Sequence, residues 1–172
     1  MSARTPDELG RALGCVIYDM LMLLIALSVH RRRASSPYYE ELTWGEPQIS
    51  IEVILLKARS LMDFISPRSP TARDSILITD FGVLPIVLPH SMQVFRRSVN
   101  QWVAHLSWQR ALRKQGGAPQ PLHSDMETHA LWLLSKTKTV VGDCISRGAA
   151  LVEERHQCFY RVFQKEYANM VP

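Results

Sequence analysis

The chain of 172 residues lacks the short motifs on which several large enzyme classes depend. It has no glycine-rich phosphate-binding loop, no GxSxG nucleophile elbow and no HExxH zinc motif. These absences argue against nucleotide-binding, hydrolytic and metalloenzyme functions. We therefore expect neither a cofactor nor a metal ion.

Cysteine is also scarce. The three cysteines, Cys15, Cys144 and Cys158, form no CxxC pair and no zinc-like spacing. An odd number of widely spaced cysteines favours a reduced, cytoplasmic setting in which these side chains serve as packing residues.

The chain has little that resembles a membrane span or a signal peptide. Its longest apolar run, Leu13 to Val29, is shorter than the roughly 20 residues of a span and contains Asp19 near its middle. Asp7 and Glu8 stand where a signal peptide carries basic residues. We expect a buried core helix without membrane attachment, and membrane insertion of this run is the alternative.

No stretch alternates between apolar and polar residues as a half-buried strand does. Capping residues, prolines and glycines instead divide the chain into segments with helical periodicity. The pattern predicts one domain spanning residues 1–172, an all-α, up-and-down bundle of four or five helices. The predicted helices are Thr5 to Val29, Pro47 to Ile65, Pro89 to Gln115, and a helical region from Ser124 onward that breaks near Gly148.

The connection from Ser66 to Pro89 contains four prolines, which exclude a long helix. Its apolar clusters predict a long ordered loop packed on the bundle between the second and third helices. A connection of this length is unusual in a compact domain and often has a function.

The third helix has two apolar sides. Phe95 and Val99 belong to the side that a bundle core takes, whereas Val94 and Trp108 lie nearly opposite. An exposed apolar surface with a large aromatic residue indicates a partner. Val94 and Trp108 are therefore the predicted interface of a homodimer or of a complex with another protein.

Between these two sides runs a polar stripe of Arg97, Gln101 and His105. Only five of the 20 cationic residues in the chain are lysines, and arginine is better suited than lysine to phosphate. The predicted RNA contacts are Arg59, Arg96, Arg97 and Gln101. The alternative is that the arginine bias reflects genome composition and that these side chains are solvated.

A second helix reading LLKARSLMDFI and a third reading FRRSVNQWVAHLSWQR resemble the HEPN superfamily of small helical bundles. The resemblance covers roughly Ile51 to Arg110 and the order of the helices. Many members are dimers, and many are metal-independent ribonucleases of defence, toxin or RNA-processing systems. Their site is an arginine followed, after a short interval, by a histidine, and these residues meet across the dimer cleft.

The resemblance implies a site at His105, which matches the family histidine. Asn100 stands at the family interval from it, and Arg97 is the nearest arginine before it. In metal-free RNA cleavage a base activates the 2′-hydroxyl and a cation stabilises the phosphorane, which are roles for His105 and Arg97. We therefore expect a cytoplasmic HEPN-like dimer that binds or processes RNA in stress or defence. A non-catalytic interaction module using Val94 and Trp108 is the alternative.

Overall fold

The computed structural model describes residues 4–34, 45–68, 77–104, 123–146 and 152–170. In these ranges the backbone forms five α-helices and one 3₁₀ turn, with no strand, which confirms the predicted all-α bundle. The α-helices are α1 (Pro6–Ala34), α2 (Gly45–Ile65), α3 (His90–Ala104), α4 (His123–Ser146) and α5 (Glu154–Met170). The helical region after Ser124 contains two helices, and Gly148, where the sequence predicts a break, lies outside the described residues.

Helix α1 begins with the predicted capping box. The Thr5 N–H donates to Glu8 Oε2 at 2.7 Å, and the Glu8 N–H donates to Thr5 Oγ1 at 3.3 Å. Because its carboxylate accepts the Thr5 backbone N–H, the pKa of Glu8 lies below its usual value. The cap is therefore present at neutral pH and weakens as the pH falls through that lowered pKa.

Helix α1 is the centre of the bundle, where it packs against α2, α4 and α5. Its inward side is fully buried and consists of large aliphatic residues, among them Leu13, Ile17, Met20, Leu24 and Leu27. Asp19, the one acidic residue of the apolar run, accepts hydrogen bonds from Lys57 Nζ at 2.6 Å and from Ser60 Oγ at 2.5 Å. The charge is thus compensated by α2 at the edge of the core.

By length and composition, Pro6–Arg32 is the one helix in the described part of the chain that is apolar enough to cross a membrane. In its most apolar window of 18 residues, 61% of the residues are buried inside the bundle. Burial of this kind is what the core helix of a bundle requires.

Helix α1 extends one turn beyond its predicted end at Val29. Arg31 lies in this added turn, where its Nε donates to Glu127 Oε1 at 2.5 Å and its Nη1 donates to the Met170 carbonyl at 3.2 Å. The extra turn is stabilised because Arg31 pairs with Glu127 near the start of α4 and binds a carbonyl at the end of α5, where the helix dipole favours a cation.

The described part of the connection between α2 and α3 packs on the bundle. Ile78–Phe81 forms the 3₁₀ turn, in which Ile78 and Phe81 are buried. The turn ends at Gly82, whose φ of 69° is a left-handed conformation that glycine adopts without strain. Residues 83–89 then form no regular secondary structure, and the Ile86 N–H donates to the Ile65 carbonyl at 2.8 Å. The loop is therefore tied to the end of α2.

Helices α1 and α5 approach closely at Gly14. A Cβ built at this position would lie 2.4 Å from Nδ1 of the buried His156 ring. We expect Gly14→Ala to lower the free energy of unfolding by about 1–3 kcal/mol, because the ring has to move in a packed interface.

Gly142→Ala in α4 is the matched control, since its Cβ would lie 3.5 Å from Tyr160 Oη, an ordinary contact. Replacing this mid-helix glycine is expected to stabilise the protein by about 0.5–1 kcal/mol. Urea unfolding followed by circular dichroism measures both variants. Equal stability of Gly14→Ala and the wild type would contradict the close approach.

Candidate functional site

Helix α3 has the predicted division between a core side and a polar side. Phe95 and Val99 are buried in the core. The opposite side is a stripe at helical spacing whose four members, His90, Val94, Arg97 and Gln101, are all exposed. Val94 in the middle of the stripe is 42% exposed. The stripe thus combines a cation, a neutral polar group and an apolar side chain.

Two residues predicted for the site, His105 and Trp108, lie outside the described residues. The predicted third helix extends to Gln115, and the structure describes it to Ala104.

Arg96 and Arg59, both predicted as RNA contacts, are paired with one carboxylate. Arg96 is 9% exposed, and its Nη2 donates to Asp63 Oδ1. Arg59 Nε lies 3.8 Å from the other oxygen of Asp63, one turn away on α2, and is itself on the surface. The guanidinium group of Arg96 is thus engaged in an ion pair with α2.

Arg96 also closes the C-terminal end of α2. Its Nη1 donates to the Ser66 carbonyl at 2.7 Å, just beyond the last residue of that helix. A carbonyl at this position has no partner within its own helix. The helix dipole also favours a cation at this end. Two groups in this region, Arg96 Nε and Asn100 Nδ2, are buried and have no hydrogen-bond partner among the described residues.

An open groove of ≈ 710 Å³ lies beside Arg96, between the first turns of α3, the end of α2 and the loop residues 85–88. The described residues that line it include several cationic side chains and no acidic one. They are Ser66, Arg68, Pro85, Ile86, Val87, Leu88, His90, Gln93, Arg96 and Arg97.

Arg68 and Arg97 carry exposed positive charges of this groove, and His90 lies in the same lining. All three are exposed, and none forms an ion pair with any described residue. The groove also includes the N-terminal turn of α3, whose free N–H groups form the positive end of the helix dipole. Forked guanidinium groups beside such a helix end bind phosphate or carboxylate oxygens.

Only Arg96 and Arg97 of this groove were predicted from the sequence. Arg68 and His90 were missed, because they flank the connection whose path over the bundle depends on tertiary contacts. The proximity of Pro67-Arg68 to the end of α2 and of Pro89-His90 to the start of α3 was the available signal.

Other reactive side chains have structural surroundings. The His129 ring stacks on Phe95 at 4.9 Å, and its Nδ1 lies 2.6 Å from the Asp125 carbonyl oxygen. Cys144 is buried, while Cys15 and Cys158 are exposed, and none of the three forms a disulfide. No group of three or more metal-ligating side chains occurs within the described ranges.

Comparisons of the chain with family models, with curated proteins and with solved structures find no match. The argument for function therefore depends on the groove and on the stripe of α3.

The two adjacent arginines of α3 should differ in their effect on stability. Arg96→Met leaves the Ser66 carbonyl and Asp63 without their partner, and we expect a loss of about 1–3 kcal/mol in the free energy of unfolding. Arg97→Met removes an exposed cation that has no ion pair among the described residues, and it should change this free energy by less than about 0.5 kcal/mol. Urea denaturation of both variants tests the difference, and equal losses would contradict the assignment of Arg96 to the structure.

Proposed function

We propose that the protein binds single-stranded RNA in this groove, as a cytoplasmic HEPN-like helical protein of stress or defence. The observation that carries the proposal is the presence of two exposed arginines, Arg68 and Arg97, beside the exposed His90 in a groove whose described lining has no carboxylate. Such a site attracts a polyanion, and arginine binds phosphate oxygens with two parallel N–H groups.

The shape of the groove supports a strand rather than a duplex. Leu84 and Val87 are strongly exposed on the loop before α3, and Val87 lines the groove with the arginines. Unpaired bases lie against apolar side chains and arginine planes, whereas the bases of a duplex are enclosed between its strands. A single strand therefore fits a surface on which cations and apolar side chains alternate.

RNA processing at this site is the catalytic part of the proposal. Arg97 lies in the groove and is the cation that would stabilise the phosphorane, while His105 is the proposed base. Asn100 lies on the same helix, and its Nδ2 is buried without a hydrogen-bond partner among the described residues. The role of His105 follows from the HEPN resemblance, because that residue lies outside the described part of the chain.

Binding of a labelled single-stranded RNA oligonucleotide, measured by fluorescence anisotropy over a range of salt concentrations, tests the groove. Arg68→Ala and Arg97→Ala should each weaken binding and reduce the slope of log K against log salt by about 0.7, the value for each phosphate that a protein neutralises on a single strand. Arg161→Ala, which removes an exposed arginine of α5, is the control and should change neither quantity. Equal effects of all three variants, or no binding at low salt, would refute the proposed groove.

Cleavage is tested with single-stranded RNA and transfer RNA in the presence and absence of a chelator. We expect the chelator to have no effect, since no metal ligand is proposed. His105→Ala should abolish cleavage while shifting the thermal midpoint by no more than a few degrees. If the wild type leaves both RNAs intact, the protein binds RNA without processing it; if His105→Ala unfolds, the histidine is structural.

A second candidate function is a protein-interaction module without catalysis. The exposure of Val94 in the middle of the α3 stripe favours it, because an apolar side chain among polar ones often marks a contact surface. In this case the neutral change Val94→Ser should weaken partner binding and leave RNA affinity unchanged.

A further inference from the structure

The groove beside α3 has more positive charge than an internal phosphate of a strand requires. Arg68 and Arg97 are exposed and line it together, and neither has an ion pair among the described residues. An internal phosphate has one negative charge, whereas a phosphate monoester has roughly −1.5 to −2 at neutral pH and three strong acceptor oxygens. Two guanidinium groups in one groove therefore match a terminal phosphate better than an internal one.

The start of α3 adds hydrogen-bond donors to the groove. The helix begins after Pro89, which has neither an N–H group nor a side-chain acceptor that could cap the helix. The Gln93 N–H donates to the Pro89 carbonyl at 3.0 Å. The N–H groups of His90, Ser91 and Met92 precede this hydrogen bond and have no acceptor among the described residues. Free N–H groups at a helix start bind phosphate oxygens.

Arg96 forms a buried wall of the same groove. It is 9% exposed, and its two terminal nitrogens bind Asp63 and the Ser66 carbonyl, which fixes its position. Its Nε is buried and has no hydrogen-bond partner among the described residues. Because buried donors in native proteins are nearly always paired, this Nε indicates a further acceptor at the wall of the groove. An oxyanion bound in the groove supplies one.

The groove has the size of a site for the end of a strand. Its volume of ≈ 710 Å³ lies within the range of about 300–1,000 Å³ that is typical of sites for small molecules. The loop at its border is held in place, because Gln93 Nε2 donates to the Leu88 carbonyl at 2.9 Å and the Ile86 N–H donates to the end of α2. Donors that are positioned before binding cost less entropy when the ligand binds.

We propose that the groove binds a terminal phosphate monoester of RNA, with the phosphate at the N-terminus of α3 and between Arg68 and Arg97. The inference rests on the proposed RNA binding and names the part of the RNA that the groove recognises. Val87, which is 87% exposed in the same lining, provides an apolar surface for the terminal base. RNA that ends in a phosphate is thus preferred over RNA that ends in hydroxyl groups.

Fluorescence anisotropy with three internally labelled oligonucleotides of one sequence tests the preference. One RNA has a 5′-phosphate, one has a 3′-phosphate, and one has hydroxyl groups at both ends. We expect one phosphorylated RNA to bind about tenfold more tightly than the unphosphorylated RNA, the effect of about one hydrogen bond to a charged group. The tighter of the two identifies the end that is bound. Equal affinities for all three would overturn the inference and leave the proposed RNA binding intact.

Arginine variants test whether the preference arises in the groove. Arg97→Ala should reduce it to less than about threefold, because the monoester loses one forked donor. Arg161→Ala, which removes an exposed arginine of α5, is the matched control and should keep the preference of the wild type. A full preference in Arg97→Ala would place the terminal phosphate elsewhere and refute the proposal.

Mononucleotides separate this inference from the binding of a strand. In NMR spectra of the arginine side chains, uridine 5′-monophosphate or uridine 3′-monophosphate should shift the Nε–H signals of Arg68 and Arg97, and uridine at the same concentration should not. If these signals shift but no oligonucleotide binds, the phosphate site is supported and the RNA strand is contradicted. If neither mononucleotide shifts them and no oligonucleotide binds, both proposals are wrong.

Discussion

The contact between Arg96 and the end of α2 is the interaction on which the candidate site depends. One buried guanidinium binds Asp63 and the Ser66 carbonyl, so it fixes both where α2 stops and how α3 starts beside it. Residues 83–89 lead into the start of α3, and the Ile86 N–H donates a hydrogen bond to the Ile65 carbonyl at the end of α2. The groove is the open space beside this junction of α2 and α3. Its shape is therefore set by hydrogen bonds to the backbone rather than by its own exposed cations.

Adjacent positions on α3 consequently have separate tasks. Arg96 points toward α2 and is occupied by structural contacts, whereas Arg97 is turned by about 100° and remains exposed with no ion pair among the described residues. A chain that used a single arginine for both purposes would lose either the helix junction or the free charge.

The sequence predicted the helices well, because their periodicity and their caps are local. The Thr5 and Glu8 box, the core side of α3 and the burial of the apolar run of α1 all follow from residues within a few turns of one another. What could not be predicted depends on distant residues. Arg31 extends α1 through partners 96 and 139 positions away, and the pairing of Arg96 with Asp63 is invisible in the sequence of α3 alone. Arg68 and His90 were missed for the same reason.

The packing of α5 against α1 also has a consequence for synthesis. About 120 residues separate the end of α1 from the start of α5, which corresponds to roughly 6–24 s of translation at about 5–20 residues per second. During this interval α1 is not yet covered by α5, whose His156 ring packs closely against Gly14. A nascent chain in this state exposes an aliphatic surface to the ribosome exit region. The protein should therefore engage chaperones during translation and be more prone to aggregate when α5 is truncated than when any surface arginine is replaced.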